Sequence, residues 1–525
     1  MVYDILITDG MVIDGTGNQR FLADIGIKDG LIHEIGVPKL AGADAKVNVS
    51  AFGKFVVPGF VDITSHADQN WSLFLNPSQD YLLAQGVTSI LVGNCGTSLA
   101  PLISEESIAS LKKWDQTGGS NINWVSTKEF LDELGRHPLG VNVGTLVGHG
   151  TIRRGVTHGA TRPLTKEETA ETTGVLARSL ADGAFGLSTG LSFGHEGAAS
   201  TDELVAIARV VAERGGIYKT HLRDEGADLI PAVNEAIHIS REARTPVVIS
   251  HAKAVGRKAW PSFGNALAMV ERAAEAGHAI RFDISPYERT GSFLYVVLPA
   301  WAREGGFDAM IQRIKDPLTK PKIISELKNM TIWPERYIVS GAAMLQGGHT
   351  LAEIARNTGL TTEEAILELL VLNHGKVFVF GKVISSKNVA DGIRHPQSII
   401  ASNGSGVSQE LERSGRIVHP RSTGTFPHFL HRFVRDEKIL SWEAAIAKMT
   451  SAPADAVGFA GRGYLAPRHR ADVAVFDPET IRDRSTYQTP FLHAAGMDTV
   501  IVNGVVALRD GRATGAVGGQ VLRKS

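Results

Sequence analysis

The chain has 525 residues, of which 43% are hydrophobic and 21% are charged, and its formal net charge at pH 7 is -1. This length and composition are typical of a globular protein with a large core and more than one domain. The near-zero charge gives no electrostatic reason to expect binding to nucleic acid or to an anionic membrane. No apolar run approaches the ~20 residues of a membrane span, and the first residues do not resemble a signal peptide. Because the chain has one cysteine, we expect a cytoplasmic protein.

The two ends of the chain are predicted to form short β-strands separated by tight turns. Asp4–Ile7 and Ala23–Ile27 each precede an Asp-Gly pair, which is a hairpin signal when it lies between apolar runs. Near the C-terminus, the apolar run Ala471–Phe476 has the same character. We therefore predict one small β-sandwich domain built from both termini, residues 1–55 and 453–525.

The middle of the chain, residues 56–452, alternates apolar strand candidates with amphipathic helices such as Lys166–Ala181 and Thr201–Gly215. The strand candidates are Val56–Ile63, Val87–Val92, Val141–Leu146, Ala184–Leu187, Ile217–Thr220, Pro246–Ser250, Ala279–Phe282 and Ser398–Ala401. Eight such units predict an α/β fold with a (β/α)₈ TIM-like barrel. A doubly wound sheet would also alternate, but no GxGxxG motif follows the first strand. The stretch before the eighth strand is too long for a plain crossover, so we predict an insertion at about 288–395 that covers the barrel mouth.

Polar residues follow several predicted strands, and a barrel brings such strand ends to one face. Cys95 follows the second strand, His221 the fifth and His251 the sixth. A lone cysteine is more often a small buried hydrophobe, and a lone histidine more often a hydrogen-bonded core or surface residue. Three such residues at strand ends instead favour a zinc site with an open position. Zinc at this site would activate water and polarise a carbonyl group.

Longer stretches of the sequence resemble a known family. Pro58-Gly59-Phe60-Val61-Asp62, followed by a histidine-containing segment, resembles the opening of the amidohydrolase superfamily. Further motifs are similar to the D-aminoacylase (N-acyl-D-amino-acid deacylase) branch: Gly93–Gly96, Gly148–Thr151, Gly183–Leu191, Thr220–Glu225, His419–Arg421 and Gly424–Pro427. The resemblance covers nearly the whole chain.

The resemblance implies a metal-dependent hydrolase with assigned site residues. It implies that a tightly bound Zn²⁺ ion is held by Cys95, His221 and His251. It also implies that His66 belongs to a histidine pair that serves a second, weaker metal position. A lysine, a phenol and a guanidinium would grip the substrate carboxylate, a combination that suits this anion; these groups are on Lys253, Tyr287 and Arg421. For each of these three, a surface salt bridge or a packed ring is the alternative.

Two positions depart from the family pattern. Thr64 stands where the family has the first histidine of His-x-His, and a hydroxyl is a poor zinc ligand, which argues against a second metal. Asn403 stands where the family has an aspartate that acts as general base and then as acid to the leaving nitrogen. A carboxamide cannot move that proton. Three explanations of Asn403 are open: an engineered change that traps a ligand, a natural change with lost or altered activity, and partial deamidation of the Asn403-Gly404 pair.

The sequence therefore predicts zinc-dependent hydrolysis of a linear amide bond in a small, carboxylate-bearing substrate. The favoured substrate is an N-acyl-D-amino acid, and Asn403 is predicted to impair turnover. One alternative is a hydrolase of cyclic amides or other C–N bonds, against which the cations Lys253 and Arg421 argue weakly. The other is a catalytically silent ligand-binding homologue, which Thr64 and Asn403 favour. The acyl group, the amino-acid side chain and the oligomeric state cannot be read from the sequence.

Overall fold

The computed structural model describes residues 2–36, 40, 43–112, 122–329, 333–342 and 345–524. They form a parallel barrel, a β-sheet built from both chain ends, and a smaller subdomain inserted before the last barrel strand. Within these residues, no helix is long and apolar enough to cross a membrane.

Both ends of the chain contribute strands to one sheet. Its strands are β1 (Tyr3–Val12), β2 (Phe21–Lys28), β3 (Leu31–Gly36), β4 (Ala45–Ser50), β5 (Phe55–Pro58), β18 (Val473–Phe476), β19 (Met497–Val502), β20 (Val505–Arg509) and β21 (Arg512–Ala513). The strand order is β21-β20-β19-β18-β5-β1-β2-β3, and β4 also pairs with β1. The two ends meet where β5 runs antiparallel to β18, with Val57 opposite Ala474. The two-layered sandwich and the domain boundaries stay predictions.

The barrel strands follow in chain order. They are β6 (Phe60–Asp62), β7 (Val87–Val92), β8 (Asn142–Thr145), β9 (Val147–Gly148), β10 (Gly186–Gly190), β11 (Ile217–His221), β12 (Val247–Ile249), β13 (Ile280–Ile284) and β17 (Ser398–Ile400). β8 and β9 are two parts of one barrel strand around Leu146, whose N–H donates to the Val92 carbonyl (2.9 Å). In the described part of the chain this gives eight parallel strand positions, the predicted (β/α)₈ barrel. The last position meets the first where the Ser402 N–H donates to Asp62 Oδ1 (3.0 Å).

The prediction of one strand over Val56–Ile63 is wrong in one respect, because the run divides at Gly59 into β5 and β6. A Cβ at Gly59 would lie 2.2 Å from Thr88 Oγ1, so only glycine allows this close approach. Both halves are buried, and the run is apolar up to Asp62, so the hydrophobic pattern alone could not place the break.

Helices connect the barrel strands and, after β17, lead back to the terminal sheet. They are α1 (Ser72–Leu75), α2 (Asp80–Leu83), α3 (Glu105–Lys112), α4 (Thr127–Leu134), α5 (His149–Val156), α6 (Lys166–Ala181), α7 (Gly194–Gly197), α8 (Thr201–Glu213), α9 (Leu229–Ala243), α10 (Ser262–Glu275), α16 (Ser386–Arg394), α17 (Gln409–Arg413), α18 (Arg421–His428), α19 (Trp442–Met449) and α20 (Ser451–Val457). Short 3₁₀ turns span Gln69–Trp71, Leu294–Val297 and Pro334–Arg336, and a π-helical segment, Phe429–Asp436, continues α18. Local sequence determines where α6 begins, because Thr165 and Glu168 form a capping box there.

The segment between β13 and α16 forms the inserted subdomain. It contains the antiparallel strands β14 (Arg289–Phe293), β15 (Ile338–Gly341) and β16 (Phe378–Lys382), and the helices α11 (Ala300–Arg303), α12 (Gly306–Lys315), α13 (Lys320–Lys328), α14 (Leu351–Thr358) and α15 (Thr362–Leu372). Phe293, Phe378 and Phe380 of this sheet line the same cavity as the residues at the barrel strand ends. The subdomain therefore lies over the carboxyl end of the barrel.

A buried ion pair ties the terminal sheet to the opposite end of the barrel. The Asp472 carboxylate, just before β18, pairs with the Arg462 guanidinium, and both side chains are 4% exposed. The carboxylate also accepts hydrogen bonds from the Asn142 side chain at the start of β8 (3.2 Å) and from the Asn503 N–H (2.8 Å). Removing it would leave a buried charge and several donors without their acceptor.

We predict that Asp472→Ala lowers the free energy of unfolding by about 3–5 kcal/mol, because loss of one partner leaves the other charge buried and unpaired. Denaturant unfolding followed by circular dichroism measures this. The matched control is Lys387→Ala, which breaks an ion pair whose lysine is 81% exposed and should cost at most ~0.5 kcal/mol. Equal effects of the two substitutions would contradict the prediction.

Candidate metal centre and active site

The three predicted zinc ligands come together at the carboxyl end of the barrel. Cys95 follows β7, His221 ends β11 and His251 follows β12, and their ligand atoms all lie within 4.8 Å of one another. The Cys95 Sγ is 3.3 Å from the His251 Nε2. One thiolate and two imidazoles form a donor set that fits zinc and leaves a fourth position open.

Two of these ligands lie on backbone that turns sharply out of its strand. Cys95 has φ 55° and His251 has φ 39°, in a region that residues with a Cβ adopt at a cost. Buried hydrogen bonds hold both turns. The Asn94 side-chain amide donates to the Leu91 carbonyl (2.8 Å), and the His251 N–H donates to Asp283 Oδ1 (2.7 Å).

The protonation of the cluster depends on its burial. Burial raises the pKa of the Cys95 thiol to about 12, against the influence of the nearby ammonium groups of Lys219 and Lys253. Burial, followed by the Lys253 charge, lowers the pKa of His251 well below its usual value. The protein alone therefore keeps a neutral thiol and a neutral imidazole, and binding of a metal would displace the thiol proton.

Glu225 is a central residue of the site to which the sequence analysis gave no role. Its Oε1 lies 3.2 Å from His251 Nδ1 and 2.5 Å from Lys253 Nζ, and its Oε2 lies 3.5 Å from His221 Nε2. Burial would raise the Glu225 pKa, but Lys253 and the two histidines outweigh it and hold the pKa well below the usual range. Carboxylates in this position orient metal-binding histidines. Its place four residues after His221 in the sequence was the available signal.

His66 and Asn403 lie together beside the cluster. The His66 Nε2 is 3.1 Å from Asn403 Oδ1 and 3.8 Å from Cys95 Sγ. Burial, followed by the charge of Arg421, lowers the pKa of His66 to about 3, so its ring is neutral. Thr64, two residues earlier, donates its hydroxyl hydrogen bond to Asp283 Oδ2 (2.7 Å).

A cavity of about 740 Å³ opens onto these residues. The predicted site residues in its wall are His66, Cys95, His221, His251, Lys253, Asn403 and Arg421. The inserted subdomain contributes apolar and aromatic side chains, including Phe293 and Tyr295. Tyr287 lines an adjoining smaller pocket, which shares Lys253, Asn403 and Arg421 with the large cavity. Its ring stacks on His428, with 4.5 Å between the ring centroids.

Comparison with known proteins places the chain in a family. A family model described as "Amidohydrolase family" matches residues 414–508. The chain is 32% identical over 526 residues to a D-aminoacylase of Alcaligenes xylosoxydans xylosoxydans, with 100% of this chain and 98% of the relative covered. The chain belongs to the D-aminoacylase family of amidohydrolases. This relative confirms the resemblance seen in the sequence. The chain is a metal-dependent amidohydrolase that acts on C–N bonds other than peptide bonds.

Two further relatives agree with this assignment. An N-acyl-D-glutamate deacylase of the same organism is 33% identical, over 95% of this chain and 93% of the relative. The structure of N-acyl-D-glutamate deacylase from Bordetella bronchiseptica, complexed with zinc and a phosphonate mimic of the tetrahedral intermediate, matches with a TM-score of 0.85 at 30% identity, covering 100% of both chains.

The two cations predicted to bind the substrate carboxylate, Lys253 and Arg421, differ in whether their charge is already paired. Lys253 is already paired with Glu225. Arg421 is buried, its Nε has no acceptor among the described residues, and its guanidinium has no ion-pair partner there. Burial lowers the Arg421 pKa to about 10, so the group remains cationic at neutral pH. Arg303, for which the sequence predicted no role, lines the same cavity, and its Nε likewise lacks an acceptor in the described part of the chain.

We predict that this amidohydrolase binds one zinc ion tightly and that Cys95→Ala removes it. The wild type should contain about one zinc per chain and the variant close to none, because two histidines alone bind zinc weakly. Elemental analysis after dialysis measures this. His66→Ala is the matched control and should retain its zinc. Zinc content that does not depend on Cys95 would contradict the assignment of the cluster.

Proposed function

We propose that this amidohydrolase is a zinc-dependent deacylase of N-acyl-D-amino acids, and that Asn403 slows its turnover. Hydrolysis of the linear amide yields a carboxylate and a free D-amino acid. The observation that carries the proposal is the unpaired Arg421 guanidinium, which shares one buried cavity with the Cys95, His221 and His251 cluster. The activities named for the relatives support the same reaction class.

The Arg421 guanidinium would bind the carboxylate of the substrate. A buried guanidinium without a carboxylate partner is a strong site for one, because Arg can bind it bidentately through charge-assisted hydrogen bonds. The α-carboxylate of an N-acyl-amino acid meets this need, whereas a neutral cyclic amide leaves Arg421 unpaired. The cavity of about 740 Å³ falls within the range of small-molecule sites, roughly 300–1,000 Å³.

The chemistry at the amide needs a Lewis acid and a proton carrier. Zinc held by Cys95, His221 and His251 would polarise the acyl carbonyl and lower the pKa of water. Glu225 orients His251 through Nδ1 and keeps Lys253 in place. Asn403 can hydrogen-bond to a substrate or water through its amide, but it neither accepts nor delivers a proton near neutral pH. The leaving amide nitrogen therefore has no side-chain acid at position 403 to protonate it.

We predict that Asn403→Asp raises kcat by about 100-fold or more, since a positioned acid–base group typically contributes 10²–10⁴-fold. Steady-state rates of zinc-loaded protein on N-acetyl-D-amino acids measure this, with L-enantiomers and hydantoins in the same panel. Asn403→Ala is the matched control and should show no gain. Mass spectrometry of the wild-type peptide that contains Asn403 checks that residual activity does not come from deamidated chains.

An unchanged rate for Asn403→Asp in zinc-loaded protein would contradict the proposed role of this position. If the variants bind N-acyl-D-amino acids through Arg421 but none hydrolyses them, the protein is a silent ligand-binding homologue. Faster hydrolysis of hydantoins than of linear amides would instead favour a cyclic-amide hydrolase.

We predict that Arg421→Met, made in the Asn403→Asp background, lowers kcat/KM for N-acyl-D-amino acids by roughly 10–100-fold, because it removes hydrogen bonds to a charged group. The control is a substrate in which the carboxylate is replaced by a carboxamide, for which the two chains should differ little. A similar loss with both substrates would show that Arg421 acts through folding or packing and not by binding the carboxylate.

A further inference from the structure

Lys219 is a buried cation next to the metal centre, and the proposed reaction does not use it. Its side chain, on β11, has no exposed surface. The Nζ donates to the Ile63 carbonyl (2.7 Å), to Thr64 Oγ1 (2.6 Å) and to Asp283 Oδ2 (3.0 Å). An ammonium has three N–H donors, so this one is fully satisfied by a carbonyl, a hydroxyl and a carboxylate.

These partners connect Lys219 to the zinc ligands. Asp283 uses its other oxygen to accept the N–H of His251 (2.7 Å). His221 lies two residues beyond Lys219 on the same strand, and His66 lies two residues beyond Thr64. The ammonium thus occupies the base of the centre, where the ends of β6, β11 and β13 meet.

The oxygen atoms around Lys219 have the chemistry of a cation site. Carbonyl, hydroxyl and carboxylate oxygens are also ligands of hard metal cations, and carboxylate oxygens bind zinc as well. Thr64 takes part in this arrangement through a hydroxyl that both accepts from Lys219 and donates to Asp283. A histidine at this position could offer a nitrogen to a second metal ion beside His66, whereas the threonine hydroxyl is committed to Lys219 and Asp283.

We propose that the buried Lys219 side chain takes the place of a second metal ion and limits the centre to one zinc. It does so by occupying the oxygens of Thr64 and Asp283 and by neutralising the Asp283 carboxylate, which would otherwise attract a second dication near His66 and Cys95. Charges in a buried site are screened little by salt or water, so an Asp283 carboxylate without its ammonium would strongly attract a nearby dication. The inference rests on the zinc centre of the proposed function.

Zinc stoichiometry and affinity in four chains test this role. They are the wild type, Thr64→His, Thr64→His with Lys219→Met, and the charge-retaining control Thr64→His with Lys219→Arg. Equilibrium dialysis against buffered zinc gives the number of ions and the affinity for a second one. The wild type and Thr64→His should bind one zinc. The Lys219→Met chain should bind a second zinc at least about tenfold more tightly than Thr64→His does, and the Lys219→Arg chain should not.

A melting curve for each chain shows whether it folds. Lys219→Met leaves the Asp283 carboxylate buried without its partner, which is costly. If that chain does not fold, Lys219→Gln takes the place of Lys219→Met, because its neutral amide can still donate a hydrogen bond to the Asp283 carboxylate. The Thr64→His chain with Lys219→Gln should still gain the second zinc. A purely structural role of Lys219 would change the melting temperature and leave the zinc stoichiometry at one.

The outcomes separate this inference from the proposed function. Two zinc ions in the wild type, or a second zinc in Thr64→His bound as tightly as in the Lys219→Met chain, would overturn the role of Lys219. No second zinc in a folded Lys219→Met chain would overturn it as well. One zinc in the wild type, with no deacylase activity even as Asn403→Asp, would overturn the proposed function alone. A wild type without zinc would overturn both.

Discussion

The candidate active site depends on three residues with left-handed backbone conformation, each of which lies just after a barrel strand. Cys95, His251 and Asn403 have φ of 55°, 39° and 51°, and each follows its strand by two or three residues. This region costs roughly 1–2 kcal/mol for a residue with a Cβ, and least for Asn. Buried carboxylates hold two of the turns: Asp283 accepts the His251 N–H, and Asp62 accepts the Ser402 N–H before Asn403. The sharp turns bring side chains from distant strands into one cluster.

Charge balance determines what the cavity can bind. Lys219 is neutralised by Asp283 and Lys253 by Glu225, so neither lysine offers a free charge to a ligand. Arg421 has no such partner among the described residues. A zinc ion on Cys95, His221 and His251 and a carboxylate on Arg421 would therefore complement the charges that the protein leaves open. The proposed carboxylate-bearing amide would supply this pairing, whereas a neutral amide would leave Arg421 without a partner.

The sequence predicts those parts of the molecule that depend on local patterns. The strand Val87–Val92 and the helix Lys166–Ala181 appear with the predicted bounds, because apolar runs and capping residues act over a few positions. The sequence also predicts that Cys95, His221 and His251 lie close together, because the ends of parallel strands meet at one face of a barrel. The contact of Glu225 with Lys253 and the contact of Lys219 with Asp283 span 28 and 64 residues. They depend on the register of neighbouring strands, which no local pattern encodes.

The most direct test of the account is the X-ray absorption spectrum of the zinc-loaded protein at the zinc edge. A zinc ion on Cys95, His221 and His251 predicts one sulfur neighbour at about 2.3 Å and nitrogen or oxygen neighbours at about 2.0–2.1 Å. The sulfur neighbour should vanish in any zinc that remains bound to Cys95→Ala. A wild-type spectrum with only nitrogen and oxygen neighbours would contradict the metal centre on which the proposed chemistry is built.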